Sequence, residues 1–346
     1  MEAKTIACYL YEDEPEEKQH ARFERATLTY NVEFYKNIAL NMSDRTLYSR
    51  RTILGMLTAP LIGPAIQKQH RTLITKPIPS SGEMLPVVGL GSWITFNVGR
   101  DTVARNQCTE VMRNFFALGG QMIDSSPMYG SAQEVIGYGL GRLGRPDNLF
   151  SADKVWISST ARGPSQIDTS RQHWGIPTFD LMQVHNLRGW AGHLETLLAM
   201  KAAGNLRYVG ITTSEGRRHN LFEEVMRNQP LDFIQVSYNV LNRRVEERIL
   251  PLAQERGIAV IINRPFQQGA LIRRLKQHPL PEWSIEAGAT NWAEFLIKFI
   301  VSHPAVTCAI PATSRVDHVQ ENMQAATGIL PDARMRRRMA TYVEAL

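Results

Sequence analysis

The sequence predicts a (β/α)₈ barrel over residues 86–346, and three observations predict it. From about Pro86 onward, short β-rich runs alternate with helical patterns, as a parallel sheet wrapped by helices requires. The stretch has the length of such a barrel, about 250 residues. The competing open, doubly wound sheet usually begins on a Gly-x-Gly-x-x-Gly turn. Here Gly89-Leu90-Gly91 has no third glycine at that spacing.

The elements follow in order. Strands are expected at residues 87–90, 121–124, 155–158, 180–184, 208–211, 233–236, 258–262 and 307–310. Helical patterns include residues 107–118, 193–203, 217–228, 244–255, 291–302 and 316–326. After strand three only a short helix fits, bracketed by Gly163-Pro164 and Trp174-Gly175. A C-terminal helical stretch clusters Arg334, Arg336, Arg337 and Arg338 with Met335 and Met339. It reads as a solvated face, since no aromatic residues interleave as a single-strand-binding groove would need.

Composition excludes other classes. The 346 residues are 43% hydrophobic and 21% charged, which is ordinary for a soluble domain and excludes disorder or a multi-span membrane protein. The net charge of +6 favours anions without identifying nucleic acid as a partner. Cys8, Cys108 and Cys308 are odd in number and far apart, so neither a disulfide framework nor a metal cluster is indicated.

The leader divides into three parts. Residues 1–41 include the acidic stretch Glu12-Asp13-Glu14-Pro15-Glu16-Glu17 and have no assigned role. They read as an irregular arm, or as the product of an upstream start with Met42 as the initiator. Residues 42–65 carry Arg45, Arg50 and Arg51, then an apolar segment, then small residues at Gly63-Pro64-Ala65. Ser49-Arg50-Arg51-Thr52-Ile53-Leu54 resembles a twin-arginine export signal, which implies a periplasmic location; an unprocessed cytoplasmic arm is the alternative. Residues 66–85 read as a linker and barrel-bottom segment.

In a barrel, polar residues at the C-terminal ends of strands share one mouth. Strand two ends in Asp124, followed by Tyr129; Lys154 stands at the start of strand three; His185 follows strand four. Each alone has an ordinary reading: a turn carboxylate, a packing phenol, a surface lysine, a loop imidazole. Together they suit carbonyl reduction. Hydride transfer to a carbonyl creates an alkoxide that needs a proton and electrostatic stabilisation. Tyrosine can supply the proton, and a nearby ammonium lowers its pKa from about 10. A carboxylate holds the ammonium, an imidazole donates to the carbonyl oxygen, and a cofactor must bring the hydride.

Gly120-Gln121-Met122-Ile123-Asp124-Ser125-Ser126-Pro127-Met128-Tyr129-Gly130 resembles the strand-two signature of the aldo-keto reductase family, and the resemblance runs from about Leu85 to Met323. It implies a catalytic tetrad of Tyr129 as general acid, Lys154 as its pKa-lowering partner, Asp124 as that lysine's anchor, and His185 as the carbonyl orienter. It also implies NADPH as cofactor, with NADH as the alternative. Thr212 and Thr213 stand where the family has a Ser-Asn pair on the nicotinamide amide, with Gln235 at the same amide. Asn263 replaces a stacking tyrosine, and Arg264 beside it could reach a phosphate or an acidic substrate group. After strand eight, Thr313 and Arg315 match the phosphate clamp, with Ala312 in place of its lysine, and Glu321 and Asn322 match the adenine contacts. Trp93 and Trp190 are expected to line the substrate site, with Trp283 a further aromatic in the connection 267–289. A small-molecule carbonyl is the expected partner, with the export machinery added if the leader is used. A nucleotide-binding redox sensor or partner subunit on the same barrel is the alternative to an enzyme.

Overall fold

The computed structural model describes residues 72–346, and the twin-arginine-like segment at 42–65 lies outside them. A hairpin of β1 (Thr75–Pro77) and β2 (Met84–Pro86) comes first, paired antiparallel. Eight parallel strands follow in consecutive order: β3 (Leu90–Gly91), β4 (Met122–Asp124), β5 (Phe150–Val155), β6 (Phe179–Val184), β7 (Leu206–Thr212), β8 (Phe233–Ser237), β9 (Ala259–Asn263) and β10 (Cys308–Ala309). The ends of the sheet meet. Val88 bridges Ala309 and Gly91 bridges Ala312 in parallel sense, with Gly89 N–H donating to Ala309 O at 2.8 Å. Glycine is required at that seam, because a Cβ on Gly91 would stand 2.7 Å from the Ile310 carbonyl oxygen. The fold is the expected barrel.

Among the described residues ten α-helices surround it: α1 (Thr102–Ala117), α2 (Ala132–Leu143), α3 (Gly163–Trp174), α4 (Trp190–Ala202), α5 (His219–Asn228), α6 (Ile249–Arg256), α7 (Ala270–Leu275), α8 (Trp292–Val301), α9 (Val316–Gln324) and α10 (Ala333–Ala345).

The alternation of side chains along each strand separates two cores. Outward residues such as Ile123, Val155, Val209, Ile234, Val236 and Val260 pack against the helices. Each fully buried side chain of this kind contributes about 1.5–3 kcal/mol. Inward residues Met122, Phe150, Leu181, Tyr208, Phe233, Ala259 and Cys308 fill the barrel floor together with Ile78 and Leu85 beside the hairpin. One or two inward steps further along the same strands, the residues turn polar: Asp124, Lys154, Gln183, Thr212, Gln235, Ser237 and Asn263. The mouth is therefore polar because the last inward position of most strands is polar.

Two elements differ most from expectation. Strand three runs over Phe150–Val155 rather than 155–158, so Lys154 lies near its C-terminal end and not at its start. Ser151, Asp153 and Lys154 disguise it as a loop, yet all three are buried and hydrogen-bonded. The helix expected over 244–255 is broken into a short 3₁₀ turn, Arg244–Glu246, and α6. Restarting at Ile249 puts Pro251 in the first turn, where its missing N–H costs nothing.

Candidate active site

Tyr129 is delivered by a turn built for it. Ser126 caps the 3₁₀ turn Pro127–Tyr129 by accepting the Met128 N–H at 3.2 Å, and Pro127 supplies a preset φ at its first position. Gly130 follows at φ 60°, where a Cβ would stand 2.4 Å from Asn97 Oδ1.

Asp124 and Lys154 are buried, 2% and 1% exposed. Lys154 Nζ donates to Asp124 Oδ1 at 2.6 Å and to the Ser125 carbonyl at 2.9 Å. The second carboxylate oxygen of Asp124 accepts from Gln235 Nε2 at 2.8 Å and Gln183 Nε2 at 3.4 Å. The ion pair is thus supplied with the extra hydrogen bonds that a desolvated pair needs. Lys154 Nζ lies 5.1 Å from the centroid of the half-buried Tyr129 ring. His185 stands edge-on to that ring at 90°, with centroids 5.8 Å apart.

Electrostatics assign each group a state. Burial pushes the Tyr129 phenol above its ordinary pKa; the Lys154 charge opposes this and Asp124 adds to it. Lys154 does pull the phenol down, as expected, but desolvation outweighs it. For Lys154 itself, burial disfavours the ammonium, yet the charge of Asp124 and its hydrogen bond to Lys154 help carry its pKa above the usual lysine value. Burial, with the charges of Lys154 and Arg188, holds His185 well below the usual imidazole value. At neutral pH the mouth holds a phenol, an ammonium and a neutral imidazole.

The other expected residues fall into two groups. Thr212, Thr213, Gln235 and Asn263 join the tetrad at the mouth, but much of their bonding is internal. Thr212 Oγ1 accepts the Asn186 N–H at 3.0 Å and keeps its own proton. Thr213 Oγ1 donates to the Arg217 carbonyl at 2.7 Å. Asn263 Nδ2 donates to the Thr213 carbonyl at 3.1 Å, while Ser237 donates to its Oδ1 at 2.6 Å. Arg264 ion-pairs with Glu215 and lies over the Trp93 ring at 5.4 Å. Trp93 in turn approaches Tyr129, with ring centroids 6.5 Å apart.

The second group sits at the start of α9. Thr313 Oγ1 accepts the Arg315 N–H at 3.1 Å, and the exposed Arg315 guanidinium pairs with Asp317. Asn322 is buried and Glu321 half-buried on the same helix. Trp190 opens α4 and packs, half-buried, against the helix–sheet core. Trp283 packs against Phe295 of α8 and Tyr342 of α10.

Several residues of the site escape sequence reasoning. Trp156, one residue past the true end of β5, stands under Arg188 with 5.1 Å from guanidinium to ring. Placing strand three correctly would have found it. Gln183 offers only the alternation of β6 as a signal. Asp153 faces the opposite way from Lys154 and takes Gln133 Nε2 at 2.7 Å and the Lys154 N–H at 2.7 Å. Burial raises its carboxyl pKa to about 7 against the opposing hydrogen bonds and the Lys154 charge.

A barrel with a phenol, an ammonium–carboxylate pair and an imidazole at its C-terminal mouth has the form of an oxidoreductase site. Residues 87–340 match the Aldo/keto reductase family, and the chain belongs to it. It is 27% identical over 259 residues to the methylglyoxal reductase YeaE of Escherichia coli, covering 71% of this chain and 88% of the relative. It is 25% identical over 301 residues to the L-glyceraldehyde 3-phosphate reductase of the same species, covering 72% and 86%. An aldo-keto reductase from Klebsiella pneumoniae solved in complex with NADPH superposes with a TM-score of 0.65 at 22% identity, over 79% of this chain and 95% of its own. The holo form of one from Bacillus halodurans superposes at 0.64 and 22%, over 79% and 96%. These structural likenesses concern the fold.

Proposed function

We propose that the protein reduces a small aldehyde or ketone to its alcohol by hydride transfer from NADPH, with Tyr129 as the proton donor. The observation that carries this reading is the buried Asp124–Lys154 pair beneath a protonated Tyr129, with a neutral His185 edge-on beside it. Relatives named as methylglyoxal and L-glyceraldehyde 3-phosphate reductases support a small carbonyl as the substrate class. The NADPH-bound neighbour supports the choice of cofactor.

The residues fit a nicotinamide dinucleotide. The Thr212 hydroxyl proton has no acceptor among the described residues, and Thr212, paired in register with Gln235, would receive the carboxamide together with Gln235 and Asn263. Arg315, exposed and held by a single aspartate, would take the 2′-phosphate, with Thr313 beside it and Glu321 and Asn322 on the adenosine. A planar guanidinium suits phosphate oxygens. When bound, the reduced nicotinamide supplies the hydride. His185 orients the carbonyl oxygen. Tyr129 gives its proton to that oxygen as negative charge builds there, and Lys154 stabilises the phenolate left behind. Asp124 fixes the ammonium through one oxygen and is itself fixed by two glutamine amides through the other. Trp93 walls the mouth beside Tyr129 and Arg264. Solvent returns the proton to Tyr129.

Absorbance at the nicotinamide band, followed with a panel of aldehydes, tests the reading. Aldehyde-dependent NADPH oxidation that is lost in Tyr129→Phe is expected; turnover retained in that variant overturns Tyr129 as the acid. Arg315→Ala is expected to weaken NADPH on the order of tenfold, the worth of a charge-assisted hydrogen bond, and to leave NADH unchanged. We also infer periplasmic export from the Ser49–Leu54 pattern, which cell fractionation of the full chain and of an Arg50→Lys, Arg51→Lys variant tests.

A further inference from the structure

Ser126 is wholly buried, and its hydroxyl has two hydrogen-bond neighbours among the described residues. It accepts the Met128 N–H at 3.2 Å and lies 2.8 Å from Nδ1 of His185. A hydroxyl has one proton to give and two lone pairs. Met128 takes one lone pair, so the proton still needs an acceptor. Leaving a buried donor unsatisfied forfeits its hydration with nothing in return. Nδ1 is the acceptor within reach.

The alternative arrangement fails on the same count. If Nδ1–H donated to Ser126, the oxygen would receive two donors and its own proton would have none of the described groups to meet. A bare Nε2 lone pair would then face an incoming carbonyl oxygen. His185 is neutral for the reasons given above, so it carries one ring proton, and a bond that uses Nδ1 as acceptor leaves that proton on Nε2. No described residue takes Nε2. The ring is steadied next door as well, where the Asn186 N–H is held by Thr212 Oγ1 at 3.0 Å and Asn186 turns to φ 53°.

We propose that Ser126 is a positioning residue that holds His185 as its Nε2–H tautomer, so that the imidazole presents a donor to the substrate oxygen. The catalytic consequence rests on the carbonyl-reductase reading; the tautomer itself does not.

The test is histidine ¹⁵N NMR on the full chain at pH 7, with His185 assigned by its disappearance in His185→Gln. In the wild type, Nδ1 is expected to give the unprotonated, pyridine-like resonance and Nε2 the protonated one. Ser126→Ala is expected to mix the two tautomers and Ser126→Thr to restore the single one. In parallel, Ser126→Ala is expected to lower kcat on the order of tenfold, the worth of one hydrogen bond, with KM within about twofold and Ser126→Thr recovering the rate. A protonated Nδ1 in the wild type overturns the proposal, and that spectrum needs no variant to fold. An unchanged tautomer in Ser126→Ala, or a changed tautomer with unchanged kcat, also overturns it. An Nε2–H ring in a wild type that turns over no carbonyl supports the tautomer and defeats the reductase reading instead.

Discussion

Replacing Asp153 by asparagine measures the cost of a buried carboxylate behind Lys154. Asp153 has no exposed surface, and its two oxygens accept from the Lys154 N–H and Gln133 Nε2, each at 2.7 Å. Burial raises its pKa from 3.8 to about 7 in the fold. Between those values the folded chain holds a proton that the unfolded chain has lost. Stability from this group is therefore fully present below about pH 4 and is lost as pH rises through about 7. Roughly three pK units at about 1.36 kcal/mol each give a penalty on the order of 4 kcal/mol above neutrality. Asparagine cannot ionise and keeps an oxygen for the Lys154 N–H. Its amide then faces Gln133, which must turn over, and the Ser170 hydroxyl, now an acceptor at 2.9 Å, can donate instead. The variant should lie within about 1 kcal/mol of the wild type near pH 4.5 and exceed it by about 2–4 kcal/mol at pH 8. Urea unfolding at both pH values reads this as a difference in midpoint at constant slope. An equal difference at the two pH values, or a less stable variant at pH 8, refutes the reasoning.

Three further outcomes follow from packing and pairing. Gly137→Ala puts a Cβ 1.9 Å from the His173 carbonyl oxygen, so α2 must move off α3; thermal unfolding should fall by several degrees, for a loss of about 3 kcal/mol or more. Trp174 is fully buried, its Nε1 has no partner among the described residues, and it packs edge-on to Phe179 at 5.4 Å. Trp174→Phe should be nearly neutral, since the lost volume is offset by removing an orphan donor, whereas Trp174→Ala should cost about 3–5 kcal/mol in denaturant unfolding. Lys154→Met should abolish turnover and destabilise the chain by about 3–5 kcal/mol, because Asp124 stays buried without its cation; a variant of wild-type stability would show that the glutamine amides alone hold the carboxylate.

The barrel was legible because its strands obey a simple rule. Most carry Val and Ile at the outward positions, and six helices show apolar periodicity strong enough to read. Where the rule is broken, the reason is local. The polar residues of β5 satisfy one another through Asp180 and Gln133, neighbours that are 29 and 20 residues away and therefore invisible to a local pattern. Helix α2 is masked by Gly137, Gly139 and Gly141, residues that weaken any helical pattern. Two of them are demanded by close contacts with His173 and Met112 that exist only after α2 meets its neighbours.

The site divides along the same line. Asp124, Tyr129 and His185 could be picked out because each lies at or beyond a strand end, and barrel geometry sends those positions to one place; Lys154 was read at the wrong end of its strand and stood out only by its chemistry beside the other three. What holds them could not be read. Ser126 finds His185 across 59 residues and Gln235 finds Asp124 across 111. Ser126 lies two residues beyond the end of β4 and Gln235 lies on β8, and only the closed sheet brings them to their partners. Gln235 shows what this changes. From the sequence it is a ligand for a nicotinamide amide; in the fold it is first a clamp on the carboxylate that holds Lys154. Its Nε2 is committed to Asp124 at 2.8 Å, while Oε1 meets Asn263 Nδ2 at 3.4 Å, a long contact that a bound amide could replace. One side chain thus links Asn263 to the ion pair under the phenol.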